Sequence, residues 1–230
     1  MSATSSQKIG VLGTGQVSTV LANGFLKHGH TVRRASRDTS KLDEWLAIAQ
    51  SAAVSTAAAA GDRASTGTLA DTAAWADILV LAVKGSAAEA ALDQCGHANL
   101  AGKVIIDPTN PIADGPPDHG VIRYFTNANE SLMERLQAHV PAARFVKAFN
   151  SVGNAFMVNP QFAGGPPTMF ICGNDPAAKA TVTALLDQFG WHTEDMGTVH
   201  AARAIEPLCQ LWCIPGFAGK GWSHAFKLLR

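Results

Sequence analysis

The feature that most constrains the fold lies in residues 8–37, where an apolar run, a glycine turn, an amphipathic segment and a second apolar run follow one another. Ile9, Val11 and Leu12 form a run suited to a strand that is buried on both faces. Gly13-Thr14-Gly15 follows at once, and apolar residues then recur at helical spacing up to Leu26. Residues 31–32 begin the next strand. This order predicts a β-α-β unit.

In such a unit the glycine turn is a phosphate-binding element. Gly13 permits the tight turn, Thr14 lies in the loop, and Gly15 lets a pyrophosphate approach the backbone. The helix that starts near Gln16 and Val17 points its free N–H groups at the same place. The strands and helix around the motif supply the context that a dinucleotide site requires. A glycine turn in some other α/β protein is the alternative.

The residues after the second strand indicate which dinucleotide is bound. A site for NAD usually places an acidic residue there, to bond the ribose 2′-hydroxyl. This chain instead has a basic run that ends at Arg37, with Ser36 before it, Lys41 four residues on and Asp38 as the one nearby carboxylate. A guanidinium and a hydroxyl suit a 2′-phosphate, so we predict NADP(H) as cofactor. A solvated basic turn is the alternative.

Strand and helix patterns alternate along the rest of the chain, which predicts an α/β fold with a Rossmann-type, doubly wound, mostly parallel sheet. We expect C-terminal strands and helices to extend that sheet. No repeat or linker is evident, so residues 1–230 form a single predicted domain, with a dinucleotide-binding core at 8–150 and an extension at 151–230 that includes dimer contacts. The predicted strands are 66–69, 77–83, 103–107, 144–149, 168–172 and 191–195. The predicted helices are 40–60, 71–76, 86–95 with Ser86 as N-cap, 131–139, 176–189 and 201–212.

Residues 108–129 form the longest irregular segment, and they follow the carboxyl end of a strand, where ligands bind in such sheets. Asn110 and Pro111 either line a ring pocket or shape the turn. Asn150 and Ser151 also follow a strand, and they either touch a substrate or cap the next segment.

Composition limits the partners. The formal net charge is zero, which gives no support for nucleic acid or an anionic membrane surface. The polar head and the absence of an apolar run near ~20 residues predict a cytoplasmic protein with no membrane span. The four cysteines form no C-x-x-C pair, and the eight histidines form no H-x-x-x-H pair, so the sequence predicts free thiols and no metal site.

Several segments in order resemble the F420-dependent NADP reductase family, and the dinucleotide domain is similar to that of the STEAP metalloreductases. The resemblance spans residue 9 to about residue 211. Its motifs are GTGQVS, GHTV, SRD-x-x-K, ADILVLAVK, DPTNPI, PAARFVKAFNSVG, ICGNDPAAK, FGW, DMG and AR-x-IEPL. The resemblance implies an NADP(H)-binding domain, a homodimer and hydride exchange with F420, which is a deazaflavin, or with a flavin.

The resemblance also implies individual site residues. The phosphate loop corresponds to Thr14, Gly15, Gln16 and Val17, and the 2′-phosphate clamp to Ser36, Arg37 and Lys41. Ala82 and Val83 would lie along the nicotinamide half, with Ala148 beside the ring. Departures from the family pattern are Val83-Lys84-Gly85 after the fourth strand, Ser18 at the third glycine position and the long loop 112–129.

We therefore predict hydride transfer between NADPH and a flavin or deazaflavin acceptor. This step needs two stacked rings and no obligatory acid or base, so we assign no catalytic residue. An NADP(H)-binding regulatory or sensor protein without turnover is one alternative. A reductase of a small carbonyl or imine is another, and it would need a donor such as lysine or Tyr124, the single tyrosine.

Three further interpretations concern the C-terminal part. His200 is expected to help satisfy a helix start, and Arg203 is expected to pair with Glu206 three residues on. The aromatic tail is expected to pack in the core or at a dimer contact rather than to cover a flavin. Its members are Trp212, Phe217, Trp222 and Phe226.

Overall fold

The computed structural model of the chain describes residues 6–51 and 61–230. Six parallel strands form the main sheet, in the order β3-β2-β1-β4-β5-β6. The strands of this sheet are β1 (Lys8–Leu12), β2 (Thr31–Ala35), β3 (Ala64–Gly67), β4 (Ile78–Leu81), β5 (Val104–Asp107) and β6 (Arg144–Lys147). The predicted Rossmann-type, doubly wound sheet is confirmed.

Helices lie between the strands and on both faces of the sheet. They are α1 (Gln16–Lys27), α2 (Asp43–Gln50), α3 (Leu69–Trp75), α4 (Ala88–Cys95), α5 (His97–Leu100), α6 (Leu132–His139), α7 (Pro176–Gln188), α8 (Ala202–Ile205) and α9 (Pro207–Phe217). Short 3₁₀ helices lie at Thr39–Leu42, Gly61–Arg63, Gly85–Ala87, Asn154–Phe156 and Val199–Ala201. No helix within residues 6–51 and 61–230 is long and apolar enough to cross a membrane.

The core has two halves, one on each face of the sheet. Successive residues of β4 alternate between them: Ile78 and Val80 pack in the half that holds α1 and α7, while Leu79 and Leu81 pack in the half that holds α4 and α6. Because both faces are covered, every residue of β4 is buried. This explains why the sequence of a parallel strand shows a continuous apolar run rather than an alternating one.

The C-terminal strands lie beyond the edge of the main sheet. Strands β7 (Thr168–Ile171) and β8 (His192–Asp195) pair in parallel as a separate two-stranded sheet. One antiparallel bridge, Lys147 to Cys172, joins this pair to β6. The predicted extension of the sheet therefore consists of a second, small sheet. The division into a core at 8–150 and an extension at 151–230 stays a prediction.

Some element boundaries differ from the predicted ones. The predicted helix 40–60 is described only to Gln50, and the alanine-rich residues 52–60 lie outside the described residues. Ser86 as N-cap was wrong, because α4 starts at Ala88 after a 3₁₀ turn and has no side-chain cap bond. Thr68 is the N-cap of α3, and its side chain accepts a hydrogen bond from the Asp71 N–H.

Candidate functional site

The glycine turn lies where the order of the strands reverses. β1 pairs with β2 on one side and with β4 on the other, so a crevice opens at the carboxyl ends of these strands. Gly13 has φ +124°, and a Cβ added there would lie 2.2 Å from the carbonyl oxygen of Ala82. A Cβ added at Gly15 would meet nothing within 4 Å. The turn is therefore packed against β4 on one side and open on the side that a phosphate would approach.

Ser18 and Arg34 brace this turn from below. The Ser18 hydroxyl donates to the Gly13 carbonyl oxygen at 2.7 Å. Arg34 donates from Nε to Ser18 Oγ at 3.1 Å and from a terminal nitrogen to the Gly13 carbonyl oxygen at 3.3 Å. Its guanidinium lies 5.0 Å from the ring centroid of Trp45, and burial lowers the pKa of Arg34 to about 10. Sequence reasoning missed this support, although the alternation in β2 places Arg34 on the inward face with Val32.

A cavity of about 330 Å³ opens above the turn. It is bounded by the turn after β1, the segment after β2, the segment after β4 and one face of α4. The predicted site residues that line it are Gly13, Thr14, Gly15, Ser36, Arg37, Lys41, Ala82 and Val83. Residues 69, 84, 87, 90, 91 and 94 complete the wall, together with Ala35 and Asp38. The structure thus brings the predicted phosphate loop and the predicted 2′-phosphate clamp into one cavity.

The clamp end of the cavity is rich in positive charge. Arg37 and Lys41 are exposed, and among the described residues neither side chain forms a salt bridge with a carboxylate. Ser36 is buried, and its hydroxyl accepts a hydrogen bond from the Asp38 N–H at 3.2 Å.

Asp38 is the acidic residue of this wall. Its Oδ1 accepts from the N–H and the hydroxyl of Ser40, at 3.2 and 2.6 Å. The Ser40 bonds and the nearby charge of Lys41 hold the pKa of Asp38 below its ordinary value, so the carboxylate stays ionised. At this end two cations therefore face one anion that is already hydrogen-bonded.

The remaining predicted site residues do not line the cavity. Gln16 and Val17 form the first turn of α1 beside it. Ala148 is fully buried at the end of β6, and Asn110 lies in the segment after β5. Their assignment to the cofactor stays a prediction.

The segments after β4, β5 and β6 nevertheless meet one another. A Cβ added at Gly85 would lie 2.1 Å from the Asn110 carbonyl oxygen. The Asn110 amide donates to the Asn150 carbonyl oxygen at 2.9 Å, and the Asn150 amide donates to Asn110 Oδ1 at 3.2 Å and to the Ile205 carbonyl oxygen at 3.0 Å. The two asparagines thus tie these loops together. These contacts link loops that are distant in sequence, and the two interpretations of Asn110, that it lines a ring pocket or that it shapes its own turn, both stay predictions.

The backbone turns sharply where β6 ends. Phe149 is buried and has φ +65°, in the left-handed region that bulky residues rarely adopt. Its N–H points at the sulfur of Met169, 3.1 Å away. Such strained positions cluster at ligand sites, and this one follows Ala148 directly.

A buried ionic cluster supports the same loops. Lys147 is fully buried, and its ammonium lies 2.7 Å from the Asp107 carboxylate, 2.9 Å from the Glu206 carboxylate and 2.9 Å from the Thr109 carbonyl oxygen. Burial alone would lower the pKa of Lys147, but the two carboxylates raise it above its ordinary value. The cluster joins β5, β6 and the start of α9.

Glu206 also accepts the N–H groups of Leu132 and Met133 at the start of α6, at 2.9 and 3.0 Å. The predicted pair of Arg203 with Glu206 was therefore wrong. Arg203 lies on the exposed side of α8 and donates to Glu134, from its terminal nitrogen at 2.6 Å and from Nε at 2.9 Å. The Glu206 side chain points into the protein instead, where its carboxylate pairs with the buried ammonium of Lys147.

Glu134 closes a capping box at the start of α6. Ser131 Oγ accepts from the Glu134 N–H, and the Glu134 carboxylate accepts from the Ser131 N–H at 2.9 Å. The Arg203 bonds, followed by those from Ser131, hold the pKa of Glu134 below its ordinary value. His200, expected to satisfy a helix start, is exposed, lies 3.8 Å from Glu134 and caps neither of the adjoining helices, so that interpretation was wrong.

The aromatic tail packs largely on itself. The ring of Trp212 lies 5.5 Å from that of Trp222 and 4.9 Å from that of His224, and Phe217 lies 5.3 Å from Trp222 between ring centroids. Among the predicted alternatives, these contacts agree with packing. Phe217 and Trp222 keep about half of their surface exposed.

Comparison with known proteins gives consistent matches. A family model described as NADP oxidoreductase coenzyme F420-dependent matches residues 8–111. A candidate F420-dependent NADP reductase from Arthrobacter sp. FB24, known from its crystal structure, is 33% identical, with a TM-score of 0.86 over 97% of this chain and 100% of that chain.

Two more distant proteins are also similar. Metalloreductase STEAP3 from Rattus norvegicus is 28% identical over 95% of this chain, and the chain spans 40% of the length of that relative. A reductive aminase from Aspergillus terreus, solved with NADPH, is 20% identical, with a TM-score of 0.64 over 94% of this chain and 64% of that chain. That likeness concerns the fold alone.

Proposed function

The chain belongs to the F420-dependent NADP oxidoreductase family, and from that membership we propose that it transfers hydride between NADP(H) and a flavin or deazaflavin acceptor. The family makes it an NADP-dependent oxidoreductase. The choice of acceptor, the residues that hold the nucleotide and the assembly are the parts that we propose.

One observation carries the proposal: a single cavity joins the glycine turn to a cationic clamp. The residues present fit NADP(H). Gly15 is open on the cavity side, and the first turn of α1 has N–H groups without intrahelical acceptors, which suits a pyrophosphate. Ser36, Arg37 and Lys41 would hold the 2′-phosphate, as a hydroxyl, a fork of donors and a point charge.

The chemistry needs orientation more than proton transfer. NADPH, when bound, supplies the hydride. The protein's part is to hold the two reacting rings in place and to exclude water. Ala82 and Val83, which follow β4 and line the cavity, would give the nicotinamide half an apolar wall. We assign no catalytic residue.

The acceptor is proposed to lie where residues 82–85, 109–111 and 148–152 approach one another. The close contact of Gly85 with Asn110 and the hydrogen bonds between Asn110 and Asn150 support this position. It lies at the carboxyl ends of the strands, where ligands bind in open parallel sheets. Ala148 and the strained Phe149 stand at its edge.

Carbonyl or imine reduction is less well supported, because it calls for a proton donor in the site. The Tyr124 hydroxyl donates to the Glu206 carbonyl oxygen at 2.7 Å, and burial raises the pKa of Tyr124 well above its ordinary value. Lys147 is fully buried between two carboxylates. The Tyr124 hydroxyl and the Lys147 ammonium therefore both serve as partners within the fold, and neither is placed to donate a proton to a substrate.

A steady-state assay of NADPH oxidation tests the proposal. The acceptors are F420, FMN, FAD, riboflavin and a set of ketones and imines, each with NADPH and with NADH as donor. We expect turnover with a flavin or with F420, and a preference for NADPH. Tight NADPH binding without turnover on any acceptor would favour a sensor protein, and turnover on the carbonyl set alone would favour the third alternative.

We also propose a homodimer that buries the C-terminal segment. Among the described residues, six of the nine large apolar side chains that are exposed lie in this part of the chain: Leu211, Ile214, Phe217, Trp222, Leu228 and Leu229. Exposed apolar side chains in this number are a reason to expect a contact surface there. Sedimentation at micromolar concentration should show a species of twice 24.0 kDa, and a monomer would contradict the proposal. The cytoplasmic location stays a prediction.

A further inference from the structure

Three side chains from three helices converge on one point of the surface, away from the cavity. Asp93 lies near the end of α4, His97 begins α5 and His139 ends α6. His97 Nε2 lies 3.1 Å from Asp93 Oδ1, and His139 Nε2 lies 2.7 Å from the same oxygen. One potential ligand atom from each residue lies within 4.8 Å of the other two.

We propose that Asp93, His97 and His139 form a binding site for a divalent transition-metal ion. Two imidazoles and one carboxylate are a ligand set suited to zinc and its neighbours in the first row, and three protein ligands leave room for water. Ligand bonds of about 2.0–2.2 Å in a tetrahedral site put neighbouring donor atoms roughly 3.4 Å apart. The separations of 3.1 and 2.7 Å from Oδ1 are shorter than that value by less than 1 Å, so small side-chain shifts admit the ion.

The arrangement of the rings supports this function. The His97 and His139 rings lie 5.1 Å apart between centroids, at 75° to each other, and each turns its Nε2 toward the same carboxylate oxygen. In the described part of the chain, the Asp93 carboxylate pairs with these two imidazoles, and no lysine or arginine forms a salt bridge with it. The side chains keep 56%, 49% and 30% of their surface exposed, so an ion has direct access.

No sequence motif predicts this site. His139 lies 46 residues from Asp93, and the chain returns through β5 and the long loop before α6 brings it back. The sequence therefore predicted no metal site from the spacing of its histidines, and the fold supplies the missing proximity. Helix α4 also contributes Ala90, Ala91 and Gln94 to the nucleotide cavity, so a bound ion would fasten that helix to α5 and α6.

Zinc titration of the tag-free, EDTA-treated chain tests the proposal. Isothermal calorimetry should show one saturable site with a Kd on the order of micromolar. His97→Gln and His139→Gln should each weaken zinc binding by about tenfold or more, since each removes a ligand. Zinc at a hundredfold excess over the wild-type Kd should raise the wild-type Tm by about 5 °C or more, and should raise the Tm of each variant by no more than about half as much.

His119→Gln is the matched control, because His119 is an exposed histidine that lies 3.7 Å from Asp118, and the described residues offer no third ligand there. It should bind zinc as the wild type does. Cys213→Ser checks binding at the cysteines of α9. The proposal is overturned if the wild type binds no zinc, if the two histidine variants bind as the wild type does, or if only Cys213→Ser abolishes binding. Far-UV circular dichroism confirms that each variant is folded.

Discussion

Arg34 donates a hydrogen bond from Nε to the Oγ of Ser18 at 3.1 Å, inside the protein and directly below the glycine turn. The Ser18 hydroxyl in turn donates a hydrogen bond to the Gly13 carbonyl oxygen, so that Arg34 is linked to the turn through Ser18. A serine at the third glycine position thus has a structural reason, because its hydroxyl joins the turn to β2. A buried guanidinium is costly unless its donors are used, so these two residues should depend on each other.

We expect Ser18→Ala to destabilise the protein by about 2 kcal/mol, since it leaves a charged donor of Arg34 without its acceptor. The double variant Ser18→Ala with Arg34→Met should lose less than Ser18→Ala alone, because the buried charge is then also gone. Urea unfolding of the wild type, Ser18→Ala, Arg34→Met and the double variant measures the coupling free energy. Additive losses would contradict the proposed dependence.

Thr19→Ala is the control for that series. The Thr19 hydroxyl makes a similar local bond, to the Gly15 carbonyl oxygen at 3.3 Å, but in an exposed position. Its removal should change the free energy of unfolding by less than about 0.5 kcal/mol.

The sequence predicts those parts of the site whose residues follow directly after a strand, and it does not predict contacts between residues that are distant in the chain. The turn at Gly13–Gly15 and the clamp at Ser36, Arg37 and Lys41 follow their strands directly, and strand order alone then places them in one crevice. The pairing of Glu206 was not predictable in this way. Helical spacing offered Arg203 as its partner, whereas the buried Lys147 on a distant strand attracts it.

A second kind of failure concerns helix starts. Ser86 has the residue type of an N-cap, yet the chain first makes a 3₁₀ turn because Gly85 packs against the Asn110 carbonyl oxygen. A contact between loops that are distant in sequence moves the boundary. Local propensity holds no information about such contacts, so fold class was predictable while these details were not.

Lys147→Met should destabilise the protein by about 3–5 kcal/mol, because it leaves the carboxylates of Asp107 and Glu206 buried without their cation. Adding Asp107→Asn should recover part of this loss, since an asparagine can still accept from Thr109 as Asp107 Oδ1 does. Lys84→Met, which breaks a pair with Asp114 in which both side chains are exposed, is the control and should cost about 1 kcal/mol or less. Chemical unfolding at pH 7 measures all three.

The same cluster predicts a pH dependence. The carboxylates raise the pKa of Lys147 above its ordinary 10.5, so its contribution to stability is complete below pH 10.5 and is lost only as the pH rises further. Wild-type stability should therefore show no loss from this group between pH 7 and 10. An early loss that Lys147→Met removes would contradict the ion cluster.

Glu134 predicts a dependence on acid. Its pKa is lowered from 4.5, chiefly by the Arg203 hydrogen bonds, so its contribution is present above pH 4.5 and is lost as the pH falls through the lowered value. Arg203→Gln should reduce the fall in Tm between pH 5 and pH 3, and Arg123→Gln, an exposed arginine of the loop after β5, should leave that fall unchanged. If Arg203→Gln and wild type show the same acid profile, the pair does not contribute.

The sharpest prediction concerns the choice of nucleotide. A 2′-phosphate carries close to two negative charges, and Arg37, Ser36 and Lys41 line the cavity where it would lie. Arg37→Ala should weaken NADPH binding by about tenfold or more and leave NADH binding nearly unchanged, because the lost bond is charge-assisted and only NADPH makes it. Rising salt should weaken NADPH binding more than NADH binding for the same reason.

Arg33→Ala is the matched control, since Arg33 belongs to the same basic run but donates a hydrogen bond to Ser65 and lies over the Trp75 ring, 4.4 Å from its centroid. Calorimetric titration of the three proteins with both nucleotides separates these effects, and equal affinities of the wild type for NADPH and NADH would overturn the clamp and the cofactor assignment together.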